Sequence, residues 1–284
     1  MPVYNGEKTL KCALDSLTGQ SFTDFELIIS DNGSIDRTAA ICEEYASKDQ
    51  RILYVRQSAN IGAALNFKFV LDKARAPYFM WAACDDVRST DFLEENIRFL
   101  EAHPDYVAST SPNCFEGREP TGANLVTFSI TGNVEERFRK FFDHCWVSHG
   151  IFYSVIRTDV LRGCDLLGQS LTAADWAIDL HIASCGNINR ADKGLTVFGL
   201  GGISSRADSY RAFRNRRIEI LFPFYRLSCY VLKLSRGFRF SQRVALMKTL
   251  LKLNMKAGFD QSYSTLYQFY CAHLKPGRSR ATLE

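Results

Sequence analysis

The sequence lacks the features that would assign this chain to several specialised classes of protein. Its 9 cysteines occur without CxxC or CxxH spacing, so the sequence offers no zinc or disulfide framework. They lie mostly in apolar runs, which is typical of reduced core thiols in a cytoplasmic protein. The longest apolar stretch, residues 218–234, contains Pro223, Arg226 and Lys233. It is too short and too charged to predict a helix that crosses a bilayer.

The chain also lacks a strong excess of positive or negative charge, and its composition is that of an ordinary globular protein. The 284 residues are 46% hydrophobic and 23% charged, with a net charge of +4. We therefore expect a large buried core and no nucleic-acid partner. The positive charge gathers in the last third, at Arg211, Arg214, Arg216, Arg217, Arg236, Arg239, Arg243, Lys248 and Lys252. This pattern fits either a face for anionic lipid or an ordinary solvated helix surface.

Apolar strands and amphipathic helices alternate through the first 110 residues. The predicted helices are 7–18, 36–46, 62–74 and 90–103, and the predicted strands are 25–30, 52–55, 78–83 and 106–111. Such alternation predicts an α/β fold, a Rossmann-like and mostly parallel sheet flanked by helices. Ligands bind such sheets at the carboxyl ends of the strands, where the loops at Asp31 and at Asp85–Asp86 are expected.

The pattern changes in the second half of the chain. Residues 115–133 are rich in Gly, Thr, Asn and Pro and predict a mobile loop, and an apolar strand is predicted at 151–156 between helices 134–143 and 158–164. A helix is predicted at 175–185, and only helices from residue 210 onward. We predict one domain over 1–209, with halves at about 1–114 and 115–209, followed by a C-terminal helical region over 210–284.

The adjacent carboxylates Asp85 and Asp86 follow an apolar strand directly. Like charges this close repel each other, and a divalent cation with hard oxygen ligands, Mg²⁺ or Mn²⁺, relieves the repulsion. The alternative is that the two residues only cap the helix near Thr90.

Four short motifs in order carry a family resemblance: PVYNGE, ELIISDNGSIDRT, NIGAALN and MWAACDDV. Together they resemble the nucleotide-sugar-binding half of the family-2 glycosyltransferases, which have the GT-A fold. The resemblance covers about the first 110 residues and continues more loosely to about residue 205. It implies a nucleotide-sugar site formed by Pro2, Tyr4, Glu7, Asp31, Asn60, Gly62, Asn66 and Asp85. It also implies that Asp85 and Asp86 hold the metal and the diphosphate. Ala83 stands where the family has a leading Asp, which leaves open which of the two carboxylates binds the metal.

The stretch LTAADWAIDLHIASCG resembles the helix start that carries the family's acidic residue. On that resemblance Asp175 is the general base that takes the proton of the acceptor hydroxyl, and Trp176 stacks on a sugar or packs in the core. Asp175 could instead only stabilise the helix dipole, and Asp179 is a second, weaker candidate for the base. His149 and Arg206 are further candidates, for contact with the acceptor and with the diphosphate respectively.

These expectations combine into a metal-dependent, inverting glycosyltransferase of surface polysaccharide or glycolipid synthesis. Its donor would be a UDP-, GDP- or dTDP-sugar, and its acceptor a saccharide or lipid-linked saccharide. The basic C-terminal helices would attach it peripherally to the inner face of the membrane. The alternative is a degenerate family member that binds a nucleotide or partner without turnover. A nucleotidyltransferase would need a Gly-rich basic loop in place of MPVYNGEKTL, and a dinucleotide-dependent oxidoreductase would need GxGxxG there.

The chain begins at the Pro-Val-Tyr-Asn motif, which in the resembled family is a loop that follows a central strand. Losing a central strand would cost more than the roughly 5–15 kcal/mol that stabilises a domain. We therefore expect the natural chain to start earlier than this Met1.

Overall fold

The computed structural model describes residues 1–126, 128–146, 150–201 and 213–273, with side chains except at residue 123 and residues 262–273. The helices are α1 Leu10–Thr18, α2 Thr38–Lys48, α3 Ala63–Lys73, α4 Phe92–Ala102, α5 Val134–His144, α6 Thr158–Arg162, α7 Ala174–Cys185, α8 Tyr225–Leu234 and α9 Phe240–His273. The strands are β1 Pro2–Val3, β2 Leu27–Asp31, β3 Ile52–Arg56, β4 Tyr78–Phe79, β5 Val87–Arg88, β6 Tyr106–Thr110, β7 Asn113–Phe115, β8 Val155–Arg157, β9 Asn187–Arg190 and β10 Thr196–Phe198. Short 3-10 helices lie at Gly122–Asn124 and Arg217–Ile220.

The first part of the fold is a parallel sheet in the order β1-β2-β3, with helices in the crossovers. Every residue of β2 is buried, which explains why the strand begins with three apolar residues, Leu27–Ile29. Helix α1 buries Leu10, Ala13, Leu14 and Leu17, the positions whose spacing predicted it. The predicted alternation of parallel strands and helices is therefore confirmed.

The second part is a mixed sheet in the order β4-β8-β6-β9, in which only β6 and β9 are parallel. A smaller sheet, β5-β10-β7, lies beside it and carries the segment that follows the acidic dipeptide. The carboxyl ends of β2 and β3 and the loop between β4 and β5 hold the motifs that the sequence singled out.

Three predictions about the strands were wrong. The strand expected at 78–83 ends at Phe79, because among the described residues the segment 80–83 has no ladder partner. The strand expected at 151–156 begins only at Val155, after a turn in which the Ser154 N–H donates to the Ile151 carbonyl oxygen at 3.0 Å. Pro2 and Val3, expected in a loop, pair with Ser30 and Asp31 as strand β1.

From residue 213 the described chain is helical, as predicted, and it packs on the second half. Helix α8 contacts α7, and helix α9 contacts α5 and α8. Leu227, Val231, Leu246 and Leu250 share one hydrophobic core with α5 and α7. The domain boundary at residue 209 stays a prediction. Within the described part of the chain, no helix combines the length and the apolar run that crossing a membrane requires.

Candidate active site

The loop after β1 is held against the start of α2 by hydrogen bonds. Asn5 has the left-handed φ of 51°, and its Oδ1 accepts a hydrogen bond from the Ile35 N–H at 3.0 Å. The Glu7 side chain accepts from the Arg37 N–H at 3.0 Å, and the Glu7 N–H donates to Asp36. Tyr4 is 47% exposed beside them. The predicted residues Tyr4 and Glu7 therefore lie on a fixed surface loop, whereas Pro2 is buried in β1.

Asp31 lies at the carboxyl end of β2, and its side chain is fully buried. Oδ1 accepts from the Ser34 N–H at 2.9 Å and Oδ2 accepts from the Tyr54 hydroxyl at 3.1 Å, with Arg56 Nε 3.6 Å from Oδ2. Both carboxylate oxygens already have protein partners. The contact with a base or ribose predicted for Asp31 stays a prediction.

The loop after β3 joins this edge through two asparagines. Asn60 Oδ1 accepts from Asn32 Nδ2 at 3.0 Å and from the Gly62 N–H at 2.9 Å. Gly62 has a φ of 86°, a conformation that favours glycine. Asn66 is buried under β2, where it exchanges hydrogen bonds with Ser30. The structure thus brings together three of the four predicted nucleotide loops, with Asn66 as their buried support.

The fourth loop carries Asp85 and Asp86 and is called the acidic loop. It packs against the backbone that follows β10. The Gly199 N–H donates to Asp86 Oδ1 at 3.3 Å. A Cβ at Gly199 would lie 2.6 Å from the Asp85 carbonyl oxygen, so a side chain does not fit there. Sequence reasoning missed Gly199, although the run FGLGG at residues 198–202 was a signal for a close approach of backbone.

The acidic loop is costly to ionise. Burial raises the pKa of Asp85, and burial opposed by the attraction of Arg88 raises the pKa of Asp86 to about 6. Arg88, which sequence reasoning also missed, is 3% exposed, and burial lowers its pKa. Among the described residues, Asp86 Oδ2 and Arg88 Nε and Nη1 have no hydrogen-bond partner. The loop and Arg88 therefore offer hydrogen-bonding atoms to which no described protein atom bonds.

Asp85 and Asp86 fit a divalent cation that takes most of its ligands from molecules other than the protein. Two carboxylates are hard oxygen donors, and the unpartnered Asp86 Oδ2 is the kind of atom that a metal or a bound water satisfies. Within the described ranges no group of three or more His, Cys, Asp or Glu side chains could hold a metal. A cation here would therefore depend on diphosphate and water oxygens as well.

Asp175 lies in the first turn of α7, where the nearby backbone N–H groups of Trp176 and Asp175 partly offset the cost of ionising its carboxylate. The side chain is exposed yet closely surrounded by protein atoms, and this desolvation raises its pKa. One turn later, Asp179 is 4% exposed and its Oδ1 has no partner among the described residues. Burial and the charge of Asp175 raise the pKa of Asp179 well above its ordinary value. Asp175 is therefore the accessible carboxylate of the two.

Tyr153 connects the two acidic regions. Burial, followed by the negative charges of Asp86, Asp175 and Asp85, raises the pKa of its phenol. The acidic loop and the start of α7 thus both act on one side chain. No sequence pattern singled out Tyr153, because this arrangement exists only in the folded chain.

Trp176 belongs to an aromatic cluster. Its ring stacks on Phe224 at 5.4 Å and meets the Trp146 ring edge-on at 5.1 Å. Of its two predicted roles, this position favours packing. His149 and Arg206 lie outside the described residues.

Comparison with known proteins gives matches throughout the first half of the chain. A model of the family described as "Glycosyl transferase family 2" matches residues 1–160. The chain is 35% identical over 168 residues to glycosyltransferase GlyA of Streptococcus pneumoniae serotype 4, covering 59% of this chain and 22% of GlyA. It is 34% identical over 100 residues to an uncharacterized glycosyltransferase of Haemophilus influenzae, covering 35% of this chain and 40% of that protein. Each match spans less than half of the relative's length.

Two solved structures share the fold across nearly the whole chain. S. aureus TarS 1–349 in complex with UDP-GlcNAc superposes with a TM-score of 0.56 at 16% identity, covering 97% of this chain and 91% of that one. Mannosyltransferase PcManGT from Pyrobaculum calidifontis, in complex with GDP-Man and Mn²⁺, gives a TM-score of 0.54 at 16% identity, covering 96% and 86%. The expected fold class, α/β of the GT-A type, is confirmed.

Proposed function

Because this chain belongs to glycosyl transferase family 2, we propose that it transfers a sugar, with inversion, from a nucleotide-diphosphate donor to an acceptor hydroxyl. The observation that carries this proposal is that the loop with Asp85 and Asp86 packs against the loop after β1, where a Cβ at Gly6 would lie 3.3 Å from Cys84 Sγ, while Asp175 is an exposed carboxylate at the start of α7. Inverting transfer needs a site for the leaving diphosphate and a base on the acceptor side, both close to the anomeric carbon. The acidic loop supplies the first and Asp175 the second.

The donor nucleotide lies at the edge formed by the loops after β1, β2 and β3. Tyr4 is the exposed ring there, and the hydrogen bonds from Asn5 and Glu7 to the start of α2 fix its loop before the donor arrives. Such preorganisation lowers the entropy cost of binding. The neighbours TarS and PcManGT, solved with UDP-GlcNAc and GDP-Man, support a UDP- or GDP-sugar donor, and a dTDP-sugar remains in the proposed class.

Asp85 and Asp86 would hold Mg²⁺ or Mn²⁺, whose charge would offset that of the departing diphosphate. The carboxylate of Asp175 takes the proton of the acceptor hydroxyl while that oxygen bonds to the anomeric carbon. The bond from the anomeric carbon to the diphosphate oxygen breaks in the same step, which inverts the configuration. The raised pKa of Asp175 makes it a stronger base than an ordinary aspartate.

A panel of UDP-, GDP- and dTDP-sugars tests this proposal, by thermal shift with Mn²⁺ or EDTA and by product formation with saccharide acceptors. We expect Asp175→Asn to bind the donor normally and to lose at least 100-fold in transfer, since general base catalysis contributes about 10²–10⁴-fold. Asp159→Asn is the matched control, because the Asp159 side chain is 99% exposed on α6. Equal transfer by Asp175→Asn and Asp159→Asn would contradict the assignment of the base.

The alternative is a family member that binds a nucleotide or partner without turnover. Ala83, in the position of the family's leading Asp, is the residue that favours it. A folded protein that binds one nucleotide class but gives neither transfer nor donor hydrolysis would support the alternative.

The face of α9 that points away from the core supports peripheral attachment to the cytoplasmic face of a membrane, with a lipid-linked saccharide acceptor for surface polysaccharide. Its exposed large apolar side chains are Phe240, Met247, Leu251, Met255 and Phe259. The last four follow each other at intervals of four residues, which places them on one side of the helix. Lys248, Lys252 and Lys256 are exposed next to this row, and residues 240–259 contain no Asp or Glu. A second copy of this face would oppose lysine to lysine, whereas an anionic lipid surface complements it.

Co-sedimentation with phosphatidylglycerol and phosphatidylcholine vesicles tests this attachment. Binding to the anionic vesicles should weaken at least tenfold in the variant Lys248→Glu/Lys252→Glu, since each lysine near the surface contributes about 1 kcal/mol. The control is Lys48→Glu/Lys193→Glu, two exposed lysines outside α9. Failure of the wild-type protein to bind anionic vesicles at low salt would exclude the attachment.

A further inference from the structure

Tyr153 is the side chain on which both acidic regions act, and the function proposed above gives it no role. Its phenol interacts electrostatically with Asp85 and Asp86 of the acidic loop, with Asp175 of α7 and with Arg88. Within the part of the chain that the structure describes, its hydroxyl makes no hydrogen bond. Because Tyr153 is partly exposed, a ligand or water can reach this donor.

The turn before β8 fixes where Tyr153 points. Phe152 stacks face to face on the fully buried Trp81, with ring centroids 4.4 Å apart and planes 6° apart. The Ser154 hydroxyl donates to the carbonyl oxygen of Gly150, which has a φ of 117°. With Phe152 anchored in the core, the Tyr153 ring packs instead on Phe198, at a centroid distance of 6.0 Å.

Phe198 connects the Tyr153 ring to the acidic loop through the residue that follows it. It precedes Gly199, whose N–H donates to Asp86 Oδ1 and whose backbone lies against Asp85. A shift of the acidic loop would therefore disturb the surface on which the Tyr153 ring rests. This packing positions the hydroxyl independently of its electrostatic interactions.

The chemistry of the phenol restricts what it can do here. Burial and the surrounding carboxylates raise its pKa, so the phenol keeps its proton and acts as a hydrogen-bond donor at working pH. The transferred sugar must lie between the diphosphate at the acidic loop and the acceptor hydroxyl at Asp175, and the Tyr153 ring packs on Phe198, next to the residue whose N–H bonds Asp86 of that loop. A sugar hydroxyl or ring oxygen supplies the acceptor atom that the phenol lacks.

Resting on the proposed function, we infer that Tyr153 is a sugar-contacting residue that donates a hydrogen bond to the transferred sugar and discriminates the sugar nucleotide from the free nucleoside diphosphate. The residue acts on the sugar and not on the nucleotide. Its loss should therefore affect sugar-dependent binding and turnover alone.

The test compares Tyr153→Phe with wild type in two measurements. The first is the ratio of the Kd of UDP to that of the best-binding UDP-sugar, or the GDP or dTDP equivalent, measured by calorimetry with Mn²⁺. We expect this ratio to fall about 5- to 100-fold in the variant with the Kd of the free diphosphate unchanged, since leaving a buried polar partner unpaired costs about 1–3 kcal/mol. The second is kcat/KM, which we expect to fall by at least the same factor. Tyr230→Phe is the control, because the Tyr230 hydroxyl bonds His181 Nδ1 at 3.1 Å, outside the candidate site.

The outcomes separate the two proposals. A wild-type protein that binds the sugar nucleotide without turnover would refute the transfer reaction, and the Kd ratio would still test Tyr153. An unchanged ratio in a folded Tyr153→Phe, with the thermal midpoint of wild type, would overturn the inference. Equal weakening of the free diphosphate and of the sugar nucleotide would overturn it as well, since that would be a general disturbance of the donor site.

Discussion

Replacing Asp179 by asparagine should make the stability of the protein less dependent on pH. Asp179 lies in α7, one turn after Asp175, with 4% of its surface exposed. Its Oδ1 has no hydrogen-bond partner among the described residues. Burial and the negative charge of Asp175 raise its pKa well above the ordinary value of 3.8. The folded protein therefore holds a proton on Asp179 over a pH range in which the unfolded chain has already released it.

The sign and size of the effect follow from proton linkage. Between the unfolded and the folded pKa of Asp179, the native state binds one more proton than the unfolded state. The free energy of unfolding then falls as pH rises, by about 1.4 kcal/mol per pH unit for one proton. Asparagine cannot titrate, so Asp179→Asn lacks this decline. Above pH 4 the free energy of unfolding of the variant should therefore fall less steeply with pH than that of wild type, by up to about 1.4 kcal/mol per pH unit.

Urea unfolding at pH 4.5, 5.5 and 6.5 measures this difference, with EDTA present so that metal binding does not contribute. Asp159→Asn is the control for the exchange of an aspartate for asparagine, because the Asp159 side chain is 99% exposed on α6. Parallel curves for Asp179→Asn and wild type would refute the reasoning. Because Asp175 is the proposed base, Asp179→Asn should retain transfer. A 100-fold loss of transfer with normal donor binding would instead assign the base to Asp179.

Three other substitutions test separate parts of the structure. Asp31→Ala should cost about 3 kcal/mol in urea unfolding, because it leaves the buried partners of a fully engaged carboxylate unpaired; a loss below 1 kcal/mol would contradict this. Trp81→Ala should destabilise by about 3–5 kcal/mol, since it empties a fully buried aromatic site, and near-wild-type stability would count against that packing. The exposed Cys185 should react with iodoacetamide at pH 7 faster than the exposed Cys12, because a hydrogen bond from His181 lowers its pKa; mass mapping should show the advantage lost in His181→Gln.

The order and type of the elements in the first half were readable from the sequence because their signals are local. Helix α1 shows its buried face in the spacing of four apolar residues, and β2 shows its burial in the apolar run of its first three residues. The strand expected at 78–83 failed for a different reason. Strand length depends on the neighbouring strand, and its apolar sequence is equally compatible with the extended segment 80–83 that lacks a ladder.

The residues of the candidate site also fall into two groups, those that local sequence predicted and those that it did not. Asp31, Asn60 and Asp85 were predicted to lie near one edge because parallel topology places loops after strands together, and their loops do follow β2, β3 and β4. Asp175 came from a motif at a helix start. By contrast, nothing near Tyr153 or Arg88 in the chain distinguishes them from ordinary core and loop residues, and the glycine-rich run at Gly199 indicates a close approach of backbone without naming its partner.

The amino-acid order was sufficient for the family, the alternating α/β pattern and the acidic residues, because each depends on side chains that are neighbours or recur at a fixed period. The state of those residues depended on folding. The raised pKa values of Asp86 and Asp175 come from atoms distant in sequence that exclude water around them. The place of Tyr153 among three carboxylates arises because β8, α7 and the β4–β5 loop are folded against one another, and burial and long-range electrostatics have no signature in a local stretch of sequence.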